Sequence, residues 1–134
     1  MINQRLDKAA APGLVELLAR YPQAWSEGAI DAILSMTPAD GVYEASFGPH
    51  VWGERFIGHE QIRAALLAMG VDQPGRPRHV YGETHVVGDC GFAMWTSVQD
   101  GPNGPETTMH GADFYRVQDG KVAAKIAYRK NVDG

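Results

Sequence analysis

Residues 79–85 carry four polar or titratable side chains at every second position. His79, Tyr81, Glu83 and His85 would share one face of a strand, because side chains two apart point the same way. Histidine titrates closest to physiological pH and is the most common general base. This spacing makes His79 the first candidate for a catalytic base. A polar, solvent-facing strand surface explains the same alternation equally well.

Asp113 is a single carboxylate inside a run that is typical of a strand, rich in Thr, Tyr and Phe. Alternation places it on one face with Tyr115 and Val117. A carboxylate on a buried face is unfavourable unless it is paired, hydrogen-bonded or protonated. We therefore expect Asp113 to face a cavity as a functional group. The alternative is a solvent-facing Asp113 that pairs with a neighbouring strand.

Lys125 and Arg129 lie four residues apart in the last strand-like run, on one face. Two placements stay open for them. The apolar alternation of Val122, Ala124 and Ile126 favours the opposite face as the buried one. If Lys125 and Arg129 instead point inward, one end of the cavity is cationic and suits an acidic ligand.

Neither a metal site nor a reactive cysteine is indicated. His79 and His85 would be roughly 20 Å apart on an extended strand and cannot share an ion, and the sequence contains no HxH or HExxH pattern. The single cysteine, Cys90, sits in a turn signal beside Asp89 without a neighbouring base, which predicts an inert thiol.

The bulk composition is that of an ordinary globular chain. It has 134 residues, 44% hydrophobic and 21% charged, with a net charge of −4. This length predicts one domain, residues 1–134. Basic residues are not clustered, and Arg76 and Arg78 alternate with prolines as in a solvated loop, so nucleic acid is not an expected partner. With neither a signal-peptide pattern nor a membrane-length apolar run, we expect a soluble cytoplasmic protein.

Three helices are predicted in the first half of the chain. The first follows a loose lead-in over residues 1–11, has Pro12 in its first turn, and ends at Gly28. Its apolar stripe contains Tyr21 and Trp25, and Pro22 predicts a kink or two short helices. The other two run from Ile30 to Met36 and from His59 to Met69. Between them we expect a strand over 41–47 and a loop over 48–58.

The second half is predicted to be strands. Their expected ranges are His79–Val87, Gly91–Val98, Thr107–Val117 and Val122–Tyr128. Turn signals separate them, and Asp119-Gly120 is the clearest hairpin. Helices first and a meander afterwards predict an α+β fold: a curved antiparallel sheet wrapped around three N-terminal helices, with a cavity at its open end.

Several blocks resemble the bacterial ketosteroid isomerases of the nuclear transport factor 2-like superfamily, which also contains SnoaL-like polyketide cyclases. The matching blocks are Arg20-Tyr21, residues 28–33, Met36, Ala39-Asp40, Glu44, Phe47-Gly48, residues 58–62, residues 113–116, residues 119–122 and Ala127-Tyr128. The resemblance spans nearly the whole chain. It implies a cone-shaped α+β barrel, but the same fold serves enzymes and non-catalytic modules alike.

The resemblance also implies roles for particular residues. In ketosteroid isomerases, a tyrosine and a protonated aspartic acid hold the enolate oxygen. Those positions fall on Tyr21 and Asp113. The aspartate base falls on Ala45, which cannot move a proton, and Glu44 beside it would face away. Steroid isomerisation by that mechanism is therefore not expected.

Our first hypothesis is a cofactor-independent isomerase, cyclase or dehydratase that acts next to a carbonyl of a small hydrophobic or aromatic molecule. Its predicted catalytic residues are Tyr21, Asp113 and His79. The predicted substrate-binding residues are Trp25, Tyr43, Trp95, Tyr115, Lys125 and Arg129. A non-catalytic binding module is the alternative, supported by Ala45. A structural homodimer with an incidental pocket, pairing through a sheet face that carries Phe114 or Ile126, is a third hypothesis.

Overall fold

The computed structural model describes residues 13–130. It contains the three expected helices, α1 (Leu14–Glu27), α2 (Ile30–Ser35) and α3 (Gly58–Met69). The apolar stripe of α1, including Tyr21 and Trp25, is buried, and the helix ends at Gly28 in the left-handed conformation that glycine adopts easily. The predicted lead-in and Pro12 lie outside the described residues.

Helix α1 runs without interruption through Pro22, which excludes two short helices, one of the two alternatives predicted there. Proline has no N–H, so it cannot donate to the carbonyl of the residue four positions earlier, which is Leu18. The Thr84 hydroxyl of the sheet donates to this carbonyl at 3.1 Å. A side chain from the sheet thus replaces the missing helical hydrogen bond.

Within residues 13–130, six strands form one curved, unclosed sheet in the order β2-β1-β6-β5-β4-β3. Their bounds are β1 Val42–His50, β2 Gly53–Ile57, β3 Arg78–Val87, β4 Cys90–Gly101, β5 Gly104–Gln118 and β6 Lys121–Lys130. All neighbouring pairs are antiparallel except β1 and β6, which are parallel. The turn at Asp119-Gly120 is confirmed: both residues have positive φ, 53° and 75°, as a two-residue hairpin requires.

Strand β2 corrects the expected loop over residues 48–58. It pairs antiparallel with β1, from Val42 opposite Ile57 to Ala45 opposite Glu54. The Pro and Gly residues that suggested a loop lie only around the hairpin tip, where Gly53 has a φ of 81°. The strand that follows is only five residues long, too short for alternation to stand out.

Bulges in β3 and β6 decide which of the predicted site residues on these strands reach the inner face of the sheet. In β3 the register shifts by one between Tyr81 and Thr84, so Glu83 and His85 turn to the outer face and are exposed. The prediction that they share a face with His79 was therefore wrong. A bulge adds one residue to one strand and reverses the alternation beyond it.

The second bulge lies at Ala123 in β6. Val122 pairs with Val117, but Ala124 pairs with Arg116, so one extra residue separates the two pairs. Beyond the bulge, Lys125 and its same-face neighbours point inward. This settles the placement that the sequence left open. The apolar alternation favoured the wrong face because it assumed an unbroken period of two.

The apolar core lies between the helices and the inner face of the sheet, and Leu18, Ile33 and Leu66 are fully buried there. Over the described part of the chain, residues 13–130, none of the helices has the length and apolar character that crossing a membrane demands.

Candidate functional site

A cavity of about 240 Å³ lies between the end of α1 and the inner face of the sheet. Nine site residues were predicted from the sequence, and seven of them lie on the wall: Trp25, Tyr43, His79, Trp95, Asp113, Lys125 and Arg129. Tyr21 and Tyr115 are not on this wall. The bulge at Ala123 brings the two basic residues of β6 into the cavity, and the straight part of β5 brings Asp113.

Asp113 is the polar centre of the cavity and is completely buried. The Tyr81 hydroxyl donates to its Oδ2 at 2.9 Å, and the Trp95 indole Nε1 donates to its Oδ1 at 2.9 Å. The Lys125 Nζ lies 3.4 Å from Oδ2. Each carboxylate oxygen therefore has a neutral donor, and one also faces a cation, which offsets the loss of hydration.

Lys125 is as deeply buried as its partner, with a side chain only 3% exposed. Its ammonium lies 3.0 Å from the centroid of the Trp25 ring and 5.1 Å from that of Tyr43, a cation–π arrangement. Burial lowers the pKa of Lys125 to about 8, although the negative charge of Asp113 acts in the opposite direction. The amine is thus much easier to deprotonate than an exposed lysine.

His79 stacks on the Trp95 indole, with ring centroids 3.9 Å apart and an interplanar angle of 6°. Burial, and then the charge of Lys125, lower the pKa of His79 to about 4. The imidazole is therefore neutral at physiological pH and presents an acceptor nitrogen. Its backbone is held in place by the Ser26 hydroxyl of α1, which donates to the His79 carbonyl at 2.7 Å.

Tyr21 and Tyr115 lie in the core, and their rings meet edge to face with centroids 5.6 Å apart. Burial, reinforced by the charge of Asp113, raises the pKa of Tyr115, and burial also raises that of Tyr21. Both hydroxyls stay protonated. The apolar stripe of α1 reveals that Tyr21 is buried but not how far it lies from the cavity, so its role as an oxyanion donor stays a prediction.

Basic groups outnumber acidic ones around the cavity. Arg76 and Arg129 join Lys125 on the wall, against the single carboxylate Asp113. The Arg129 guanidinium lies 5.4 Å from the Phe47 ring, and its buried Nε has no hydrogen-bond partner within residues 13–130. The buried Trp25 Nε1 also lacks one there. The excess of basic groups on the wall favours ligands that carry acceptor oxygens.

A SnoaL-like domain model matches residues 18–125 of the chain. The chain belongs to the SnoaL-like family. Comparison with curated proteins finds no match.

Solved structures agree on the fold of this SnoaL-like chain. A nuclear transport factor 2-like protein of unknown function from Mesorhizobium loti is 23% identical, with a TM-score of 0.71, covering 92% of this chain and 99% of its own. A provisionally assigned ketosteroid isomerase from Kribbella flavida is 15% identical (TM-score 0.70; 91% and 81% covered). A provisionally assigned polyketide cyclase from Xanthomonas campestris is 21% identical (TM-score 0.64; 87% and 89% covered). At these identities the likeness shows the fold alone.

Sequence reasoning missed two residues of the SnoaL-like site. Tyr81 was placed on the face of His79, but its bond to Asp113 was not foreseen. Arg76, expected in a solvated loop, lies on the cavity wall and donates to the Ser26 carbonyl at 3.0 Å. It thereby caps the last turn of α1, which has no basic residue of its own.

Ala45 is buried and carries no titratable group, and Glu44 beside it pairs outside the cavity with Arg55 at 2.7 Å. This agrees with the expected alternation along β1. Among residues 13–130, no three His, Cys, Asp or Glu side chains come together in a way that could hold a metal ion.

Proposed function

We propose that this SnoaL-like chain is a cofactor-independent enzyme that moves a proton next to the carbonyl of a small aromatic compound, in an isomerisation, cyclisation or dehydration. The observation that supports this most is the cavity wall shared by neutral His79 and the buried ion pair of Asp113 with Lys125. Proton abstraction beside a carbonyl needs a base and a stabilised oxyanion, and this wall offers both.

The cavity also suggests the size and kind of compound. An apolar cavity of about 150 Å³ accepts benzene, so about 240 Å³ suits one aromatic ring with a carbonyl substituent. Trp25, Tyr43 and Trp95 make part of the wall aromatic, and the basic residues attract oxygen acceptors.

Each group then has a role in the proposed reaction. Lys125 and Arg129 stabilise the negative charge that develops on the carbonyl oxygen, in surroundings where water does not screen it. His79 takes the proton from the adjacent carbon, because its ring is neutral and lies on the same wall. Asp113 holds Lys125 in position through the ion pair, and Tyr81 and Trp95 hold Asp113.

The test is exchange of the α-protons of small aryl ketones in D₂O, followed by NMR with and without the protein. We expect catalysed exchange that falls by roughly 10²–10⁴-fold in His79→Gln, the usual contribution of a general base. His85→Gln is the matched control, because His85 lies on the outer face of the same strand and is exposed. Equal exchange by both variants would exclude His79 as the base, and no exchange by the unmodified protein would refute the enzyme proposal.

A non-catalytic binding module is the second candidate, favoured by Ala45 at the position where the resemblance places the base. The two proposals predict different results with the same ketones. A binding module raises the melting temperature on addition of the compound, by mass action, without accelerating proton exchange.

A further inference from the structure

Lys125 is the one lysine on the cavity wall among residues 13–130. We propose that it is an amine nucleophile that forms an imine with small aromatic aldehydes and ketones bound in the cavity. This inference rests on the proposed function, since it uses the same cavity and the same class of carbonyl compound. It goes further because it adds a covalent bond to the protein.

The position of the amine meets the first requirement for an imine, which is contact with the ligand away from bulk water. Nζ lies against the Trp25 ring at 3.0 Å and near Tyr43 at 5.1 Å. Lys125 also lines the cavity, so a carbonyl compound bound there lies beside the amine. The Lys125 side chain is only 3% exposed, so bulk water has little access to the amine.

The second requirement is that the amine can lose its proton, because only the neutral form has a lone pair. Deprotonation would be unfavourable if it left a buried carboxylate without any hydrogen-bond partner. Here Asp113 keeps the Tyr81 donor on Oδ2 and the Trp95 donor on Oδ1 whether or not Lys125 is charged. With a pKa of about 8, on the order of one amine in ten is neutral at pH 7.

The reaction itself needs no cofactor or oxidant. The Nζ lone pair attacks the carbonyl carbon, and a proton passes from nitrogen to oxygen to give a carbinolamine. The C–O bond then breaks, the oxygen leaves as water with both hydrogens of the neutral amine, and the C=N bond forms. Asp113, 3.4 Å from Nζ, is the nearest carboxylate to carry the proton between these atoms.

Reductive trapping tests the proposal directly. The full-length protein is incubated with benzaldehyde and sodium cyanoborohydride, whose hydride converts an imine into a stable secondary amine, and the adduct is located by peptide mass mapping. We expect Lys125 to be labelled at least tenfold faster than Lys121 and Lys130, which are exposed on the same strand. Labelling spread over exposed lysines, with Lys125 unmodified, would overturn the proposal.

Two variants sharpen the result. Lys125→Arg keeps the cation without a competent nucleophile, so the fast adduct should disappear, whereas Lys130→Arg should keep it. If Lys125→Arg does not fold, as judged by circular dichroism, the site mapping on the unmodified protein decides alone. An adduct of unchanged rate in folded Lys125→Arg would refute the assignment.

Failure of this inference is distinguishable from failure of the proposed function. If the unmodified protein catalyses α-proton exchange but Lys125 is never trapped, the imine is refuted and the enzyme proposal stands. If Lys125 is trapped but no exchange occurs, the imine stands and the enzyme proposal fails.

Discussion

Replacing Lys125 by Met should change how the stability of the protein depends on pH. In the folded chain the pKa of Lys125 is about 8, because of burial, against 10.5 for an ordinary lysine. Between these values the unfolded chain binds a proton that the folded chain does not. Stability therefore rises with pH in this window, and the destabilisation from burying the ammonium is fully present below pH 8.

The magnitude follows from the two pKa values. The two pKa values differ by about 2.5, and each pKa unit is worth about 1.4 kcal/mol, so the full effect is about 3 kcal/mol. Most of it, about 2 to 3 kcal/mol, should be gained between pH 7 and pH 10. Above about pH 10 the buried tyrosines oppose this rise, because their pKa values are raised on folding, but they do so equally in the variant.

The assay is urea denaturation at a fixed protein concentration from pH 7 to pH 10, followed by circular dichroism. The free energy of unfolding of the unmodified protein, minus that of Lys125→Met, should rise by about 2 to 3 kcal/mol across this range. Lys121→Met is the matched control, because Lys121 is exposed on the same strand, and its difference should stay flat. A flat or falling difference for Lys125→Met would refute the argument from burial.

Three further predictions concern other parts of the molecule. Below pH 6.5 the unfolded chain protonates His79, whereas the folded chain does so only near pH 4. Acidification from pH 6.5 to pH 4 should therefore destabilise the unmodified protein more than His79→Gln. The expected difference is about 2 kcal/mol, because the partial exposure of His79 reduces the effect. Gly111→Ala should lower the free energy of unfolding by about 1–3 kcal/mol and alter the intrinsic fluorescence, because the added methyl group overlaps the Trp95 ring. We also propose a homodimer through the outer sheet face, where Phe114 is 46% and Tyr128 60% exposed, so Phe114→Glu should shift sedimentation from dimer to monomer at micromolar concentration.

Each of these has a matched control. His85→Gln should lose as much unfolding free energy between pH 6.5 and pH 4 as the unmodified protein does. An equal loss in His79→Gln and His85→Gln would contradict the first prediction. Gly82→Ala meets only an ordinary contact, 3.6 Å from the Met94 carbonyl oxygen, and should be within about 0.5 kcal/mol of the unmodified protein. Val15→Glu places the same charge on the exposed surface of α1 and should not change the sedimentation coefficient, while a monomeric unmodified protein would exclude the dimer.

The order of helices and strands could be predicted from the sequence because long elements repeat their apolar pattern several times. Helix α3 and the turn at Asp119-Gly120 are examples. Strand β2 could not be predicted, because five residues beside a Gly-rich hairpin tip are too few to show a clear alternation. The parallel pairing of β1 with β6 was also missed, because the two strands are far apart in the chain and are not connected by a turn that the sequence could indicate.

For the site, alternation worked where the strand is regular and failed where it bulges. Asp113 lies on the straight part of β5, and its inward direction was predicted correctly. Lys125 follows the bulge at Ala123, and periodicity alone gave the wrong face. One extra residue leaves no mark in composition or charge.

The hydrogen bond from Thr84 to the Leu18 carbonyl has a consequence for the order in which this protein assembles. During synthesis α1 emerges without a hydrogen bond from Pro22 to the Leu18 carbonyl, and Thr84, which supplies the replacement donor, lies 66 positions after Leu18. A short helix with such a gap is marginal by itself. Helix α1 therefore forms stably only after β3 has been synthesised and has packed against it. Since α1 carries Trp25 and β3 carries His79, the cavity takes its final shape in that late step, and a ribosome-stalled chain that ends before Thr84 should lack a protected N-terminal helix.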